Sequence, residues 1–108
     1  MTTNHSLQTF YAGDDWQING TLYDVDGNLM DLTGAAIEWA LLDAAGNVIL
    51  DGMSSTVEVM STGRIAISVS DGVSDSVAPG QYSDVLRVTI SAFTDTMWAG
   101  PILVKKGL

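Results

Sequence analysis

Few residues in this sequence are equipped for chemistry, and their spacing limits what they can do. There is one histidine, His5, and no cysteine. A nucleophilic Ser or Cys needs a His within hydrogen-bond reach, and structural zinc needs several Cys or His ligands. Carboxylates are the remaining candidates. Asp14 and Asp15 are adjacent, whereas an acid/base pair working on a glycosidic bond needs a defined separation across a cleft. Asp24-Val25-Asp26-Gly27-Asn28, with Asp31 beyond it, gathers the hard oxygen ligands that calcium takes. Its glycine stands fourth in the run, where an EF-hand loop needs it sixth, so the preferred reading is an Asx-rich hairpin turn. Arg64, Arg87, Lys105 and Lys106 are scattered or terminal, and no glycine-rich loop precedes a helix to cradle phosphate. The sequence therefore assigns no catalytic, cofactor-binding or metal-ligating residue and no cofactor. It predicts a protein that is not an enzyme.

The large aromatics admit a binding role or a packing role. Trp16 and Trp39 fall on the apolar side of alternating runs, which is where core residues fall. Trp98 lies in Asp95-Thr96-Met97-Trp98-Ala99-Gly100-Pro101. Proline cannot donate a ladder hydrogen bond, so this segment is predicted as an edge strand or a bulge, with Trp98 covering the edge or reaching toward a partner. Tyr11, Tyr23 and Trp98 are the residues a sugar-stacking surface would use.

The elements that must position these residues follow from composition and period. The chain has 108 residues, 13 acidic against 4 basic, and a formal net charge of −9. That length supports one domain, 1–108, with residues 1–6 expected as a flexible N-terminal segment. The deficit of positive charge argues against a nucleic-acid partner. A mean hydropathy of +0.24 argues against an acidic disordered tail. No apolar run reaches membrane-spanning length and no secretory signal opens the chain, so no membrane partner is expected. The absence of Cys fits a reducing cytoplasm. Eleven of the acids are Asp and only Glu38 and Glu58 are Glu. Asp is favoured in turns and Glu in helices, so the acidity reads as turn chemistry, with Asp84 the one Asp inside a predicted strand.

Period-two alternation recurs along the chain. Strands are predicted at Leu7–Tyr11, Trp16–Tyr23, Ile37–Leu41, Val48–Asp51, around Val57 and Val59, at Ile65–Val69, Tyr82–Ile90 and Ile102–Val104. Ala35–Ala45 holds good helix formers, but Ile37, Trp39 and Leu41 keep a strand period between Gly34 and Gly46. Seven to eight short strands with turns every 8–12 residues predict an all-β antiparallel sandwich, immunoglobulin/fibronectin-like. Val77-Ala78-Pro79-Gly80-Gln81-Tyr82 is similar to the run that enters the sixth strand of fibronectin-type sandwiches, where the Tyr hydroxyl bonds back to the backbone. An ordinary Pro-Gly turn before a half-buried Tyr is the other reading.

A wider resemblance rests on Gly13-Asp14, on Asp26-Gly27, on Asp31-Leu32-Thr33-Gly34, and on Ile37–Leu41. It continues through Pro79–Tyr82, Asp84 and Trp98-Ala99-Gly100 to Val104. This set resembles the N-terminal immunoglobulin-like domain of phage baseplate upper proteins and related tail-associated domains. The resemblance implies a structural virion protein, made in the bacterial host cytoplasm and docking on other virion proteins or copies of itself. It carries no catalytic residues. The family's domain continues into a stalk, coiled coil or receptor-binding module, whereas this chain stops at Leu108, so a small stand-alone component or a truncated arm is expected. The alternative is a carbohydrate- or ligand-binding adhesion module, with a calcium-dependent adhesin as a third reading.

Overall fold

The structure is a computed structural model that describes residues 3–52 and 54–107, with backbone alone for Thr3 and Asn4. In chain order the elements are β1 (Thr3–Asn4), β2 (Gln8–Tyr11), β3 (Trp16–Thr21), β4 (Ala36–Leu42) and β5 (Val48–Leu50). They continue with β6 (Thr56–Ser61), β7 (Arg64–Val69), the single helical turn α1 (Asp71–Ser74), β8 (Gly80–Ile90) and β9 (Phe93–Lys105). All the predicted strands are present, and β1 adds one more. Ala35–Ala45 forms β4 rather than a helix, with Trp39 and Leu41 buried at its alternate positions. The segment between β7 and β8, where no strand is predicted, contains α1.

The strands form two packed sheets. One runs β1-β9-β8-β4-β5, with β2 also on β9, and the other runs β3-β7-β6. Their facing sides supply one core, in which Trp16, Ile18, Trp39, Leu41, Ile65, Ile67, Leu86 and Ile102 are all buried. Each comes from the apolar phase of its strand, the half-buried pattern that a two-layer sandwich imposes.

The turns explain most of the acidity. Asp24–Asn28 and Asp43–Asn47 fold identically. In each, the Asp amide donates to the Asn carbonyl, the Gly amide donates to the Asp carbonyl, and Asp Oδ1 accepts the amides two and four residues on. Gly27 and Gly46 adopt φ of 83° and 87°, which a side chain would resist. Asp95, opening the segment predicted as an edge strand or a bulge, lies exposed within β9. The β8–β9 hairpin closes through Ser91 and Ala92 at φ 50° and 66°, two non-glycine residues in left-handed backbone.

The prediction for the last strand needs correction. β9 is 13 residues long and interior, with β8 on one side and β1 and β2 on the other. Its tolerance of Pro101 has a local cause. Ala99 accepts the His5 amide on the β1 side, so two residues on, the Pro101 nitrogen faces that same side. There the chain departs from β9 between Asn4 (opposite Ala99) and Gln8 (opposite Ile102), so no ladder bond is lost. The expected bulge exists but sits earlier: Leu86 opposes Trp98 and Arg87 opposes Thr96, leaving Met97 as the extra residue.

Of the opening segment 1–6, Thr3–Asn4 pair with β9 and His5 packs on it, while Met1 and Thr2 lie outside the described residues. At the other corner, the Tyr82 hydroxyl donates to the Ala78 carbonyl at 2.5 Å, the tie back to the turn that the Pro-Gly-x-Tyr run suggested.

Candidate functional site

The period of β8 points one carboxylate into the core. Tyr82, Asp84, Leu86 and Val88 share a face, and Asp84 is 1% exposed. A charge removed from water is tolerated only where donors surround it. The register provides them. Trp39 on β4 and Trp98 on β9 both oppose Leu86, and each indole reaches diagonally back along the sheet. Trp39 Nε1 donates to Asp84 Oδ2 at 2.9 Å and Trp98 Nε1 to the same oxygen at 3.0 Å. An indole N–H only donates, so Oδ2 is an acceptor twice over.

The third donor comes from 79 residues away. Gly100 lies directly opposite Asp84, and a Cβ there would run into the His5 ring. The missing side chain is what lets His5 cross β9 and donate from Nε2 to Asp84 Oδ1. Its Nδ1 donates to the Ser6 carbonyl at 2.7 Å, and its ring meets Trp98 edge-on at 6.5 Å. Burial on its own would lower the His5 pKa, but the Ser6 carbonyl and the Asp84 carboxylate outweigh it and hold the imidazole above its ordinary value. Both ring nitrogens are committed as donors. In this arrangement His5 has no free nitrogen with which to take a proton from a substrate.

Trp98 links this cluster to the second sheet. Its ring lies on the backbone of Gly20 in β3, where any Cβ would overlap it. Alongside, a cleft of about 430 Å³ opens between the free side of β3 and β9. Ile18, Gly20, Met97 and Trp98 form its floor, the bulge having turned both Met97 and Trp98 inward. Tyr23, Asp24 and Val25 form its rim, and Tyr23 and Val25 are 56% and 86% exposed.

Solved structures share this architecture. The titin M3 domain superposes with a TM-score of 0.53 over 94% of this chain and 88% of that chain, at 10% identity. A titin A168–A169 structure matches with 0.52 over 94% of this chain and 45% of that one, at 11% identity. A chain from a structure on T cell specificity and activation by the bacterial superantigen toxic shock syndrome toxin-1 matches with 0.57 over 92% of each, at 8% identity. The fold is immunoglobulin-like. No protein-family model and no curated protein sequence matches the chain. At these identities the likeness is one of fold.

Immunoglobulin domains place a Cys two residues after the corner tyrosine, bridge it to the opposite sheet, and pack a strand-C Trp against the bridge. Here Tyr82 leads by two residues to Asp84, Trp39 lies against it, and the chain has no Cys. Unlike that bridge, the Asp84 cluster draws its donors from β4, from β9 and from His5 packed on β9, all on one sheet.

The sequence-predicted candidates are dispersed. Asp15 Oδ1 accepts the Asp71 amide at 2.7 Å, and the Asp14 carbonyl accepts the Ser74 hydroxyl, so this pair fastens the corner before β3 to α1. The Asp24 carboxylate is taken by the amides of Asp26 and Asn28. Asp31 Oδ1 accepts the Thr33 hydroxyl and amide, which together hold its pKa below the usual carboxylate value. Among the described residues no three His, Cys, Asp or Glu side chains gather as a metal site. Of the aromatic trio, Tyr23 and Trp98 reach the same cleft and Tyr11 does not line it. Trp98 is buried in the core rather than laid over an edge.

His5, Gly100, Gly20 and Met97 carried no site signal in the sequence. Asp84 did: an acid in phase with Tyr82, Leu86 and Val88 must face the core, and a buried acid must find donors.

Proposed function

We propose that this immunoglobulin-like domain is a non-enzymatic docking module, a structural component of a phage or phage-like particle associated with its tail, baseplate or capsid. The particle assignment is supported by the motif resemblance. The docking role is supported by one structural observation, the outer face of the larger sheet. Two cross-strand rows, Ala40–Val85–Ala99 and Leu42–Ser83–Pro101, run across its centre without a charge, and none of the six is buried. Beside them Arg87 and Glu38 pair at 3.6 Å, so this face is close to neutral in a chain of −9. The side chains of these two rows are uncharged, and the charge balance of the face lets a second copy approach where the acidic turns would repel one.

Mass spectrometry of particles purified from a producing strain checks the assignment, together with light scattering of the isolated chain. The protein is expected in the particle in many copies and as an oligomer in solution. A monomer that is absent from particles overturns the reading. Burial of Trp16, Trp39 and Trp98 leaves a sugar-stacking platform without its strongest aromatics. Hits on a glycan array would favour that alternative.

A further inference from the structure

The cleft lies beside an open strand edge. In the smaller sheet β3 has β7 as its one neighbour among the described residues, because β1 and β2, the strands before it, pair with β9 in the other sheet. The direction of its free groups follows from register. The Leu22 amide donates to the Gly63 carbonyl, so even-numbered positions along β3 face β7. The amides and carbonyls of Asn19 and Thr21 therefore face away from it, on the side where the cleft opens. Edges of this kind are normally blunted by Lys, Pro, a bulge or a covering loop. Gln17, Asn19 and Thr21 are uncharged, and β3 pairs with β7 in unbroken register.

We propose that β3 accepts an added strand from a partner: an extended segment with alternating apolar side chains and a Lys or Arg at the end that meets Tyr23 and Asp24. Its backbone pairs with Asn19 and Thr21, and one or two apolar side chains fill the cleft over Gly20, Met97 and Trp98. Charge selects the flanking residue. The titratable groups of the cleft are Asp24, His5 and Tyr23, and His5 is already paired with Asp84. Asp26 follows Asp24 in the same turn, and no Lys or Arg lines the cleft. The rim is thus anionic in a chain of −9 and favours a cationic guest. This goes beyond the docking role of the larger sheet and uses a different surface.

The test uses synthetic decapeptides of alternating Val and Thr, titrated into the protein while backbone amides are followed by NMR. One carries two terminal Lys, one two terminal Glu, and one is the Lys peptide N-methylated at alternate amides. The Lys peptide is expected to bind saturably, with its largest shifts at Asn19, Thr21 and Asp24, and at least tenfold more tightly than the Glu peptide. The N-methylated peptide is expected to lose binding. Asp24→Asn keeps the acceptor of the turn and removes the charge, so it should narrow the Lys-over-Glu preference several-fold. Thr21→Pro removes an outward amide and should weaken the Lys peptide at least fivefold. Equal binding of the N-methylated peptide, shifts confined to β5 or β6, or no saturable binding by any peptide overturns the proposal. None of these outcomes bears on whether the protein is found in particles.

Discussion

Asp84 is the residue on which the core turns, because its burial is tolerated only through three donors. Removing one side of a buried charged network costs about 3–5 kcal/mol, since the remaining groups lose their partner without regaining water. Asp84→Ala is accordingly expected to lower unfolding stability by about that amount in urea melts. The His5 contact adds a pH dependence whose sign is fixed. The folded state holds the His5 proton more tightly than the unfolded chain, so this contribution is complete below the ordinary histidine value near 6.5. It is lost as pH rises through the raised folded value. The Asp31 and Asp43 carboxylates act in the opposite direction. Asp43 is held below its usual value by the amide and side chain of Asn47, and Asp31 by Thr33. Their contribution is present above the ordinary carboxylate range and is lost as pH falls through the lowered values. Thermal melts across pH 3–9 should therefore decline on both flanks. His5→Ala should flatten the alkaline flank alone, while Asp31→Ala should soften the acid one.

Among the elements, the β8–β9 hairpin carries avoidable strain. Ser91 and Ala92 both hold left-handed backbone, a conformation that costs a residue with a side chain about 1 kcal/mol or more. Two-residue hairpins of this sign favour Asn-Gly. The double substitution Ser91→Asn, Ala92→Gly is expected to gain about 1 kcal/mol and raise Tm by about 4–8 °C, measured by calorimetry. The strands show why some elements were legible and others not. β7 has an apolar residue at every second position, Ile65, Ile67 and Val69, all buried, with Ala66 between them also buried, and it was readable directly. β9 was read as a strand at Ile102–Val104 and as an edge strand or a bulge over Asp95–Pro101, because Gly100-Pro101 locally forbids what a central strand needs. The split between β1 and β2 removes that objection, and nothing local to β9 announces the split.

For the molecule as a whole, the distribution of charge decides what it can approach. The Asp residues at the ends of strands make those regions repel anionic surfaces, while the outer face of the larger sheet is close to neutral. If copies associate through that face, a cation at its centre must oppose the association. Val85→Arg is expected to convert the oligomer to monomer in light scattering without lowering Tm by more than a few degrees, since Val85 is only half-buried.

The sequence by itself determined the class of fold, the turn chemistry and most of the strands. These depend on short-range physics: the period-two alternation of a half-buried strand, and the φ that Gly27 and Gly46 alone can supply at their turns. It also placed Asp84 inside a strand. Only the tertiary structure decided what that acid meets. His5 reaches it because Gly100 stands opposite it in the β8–β9 register, and Trp98 joins because Gly20 on the other sheet has no side chain. Such encounters depend on which strands become neighbours, and sequence separation hides them. The open edge of β3 has the same origin, since the choice of β1 and β2 to pair with β9 is a matter of topology that no local pattern encodes.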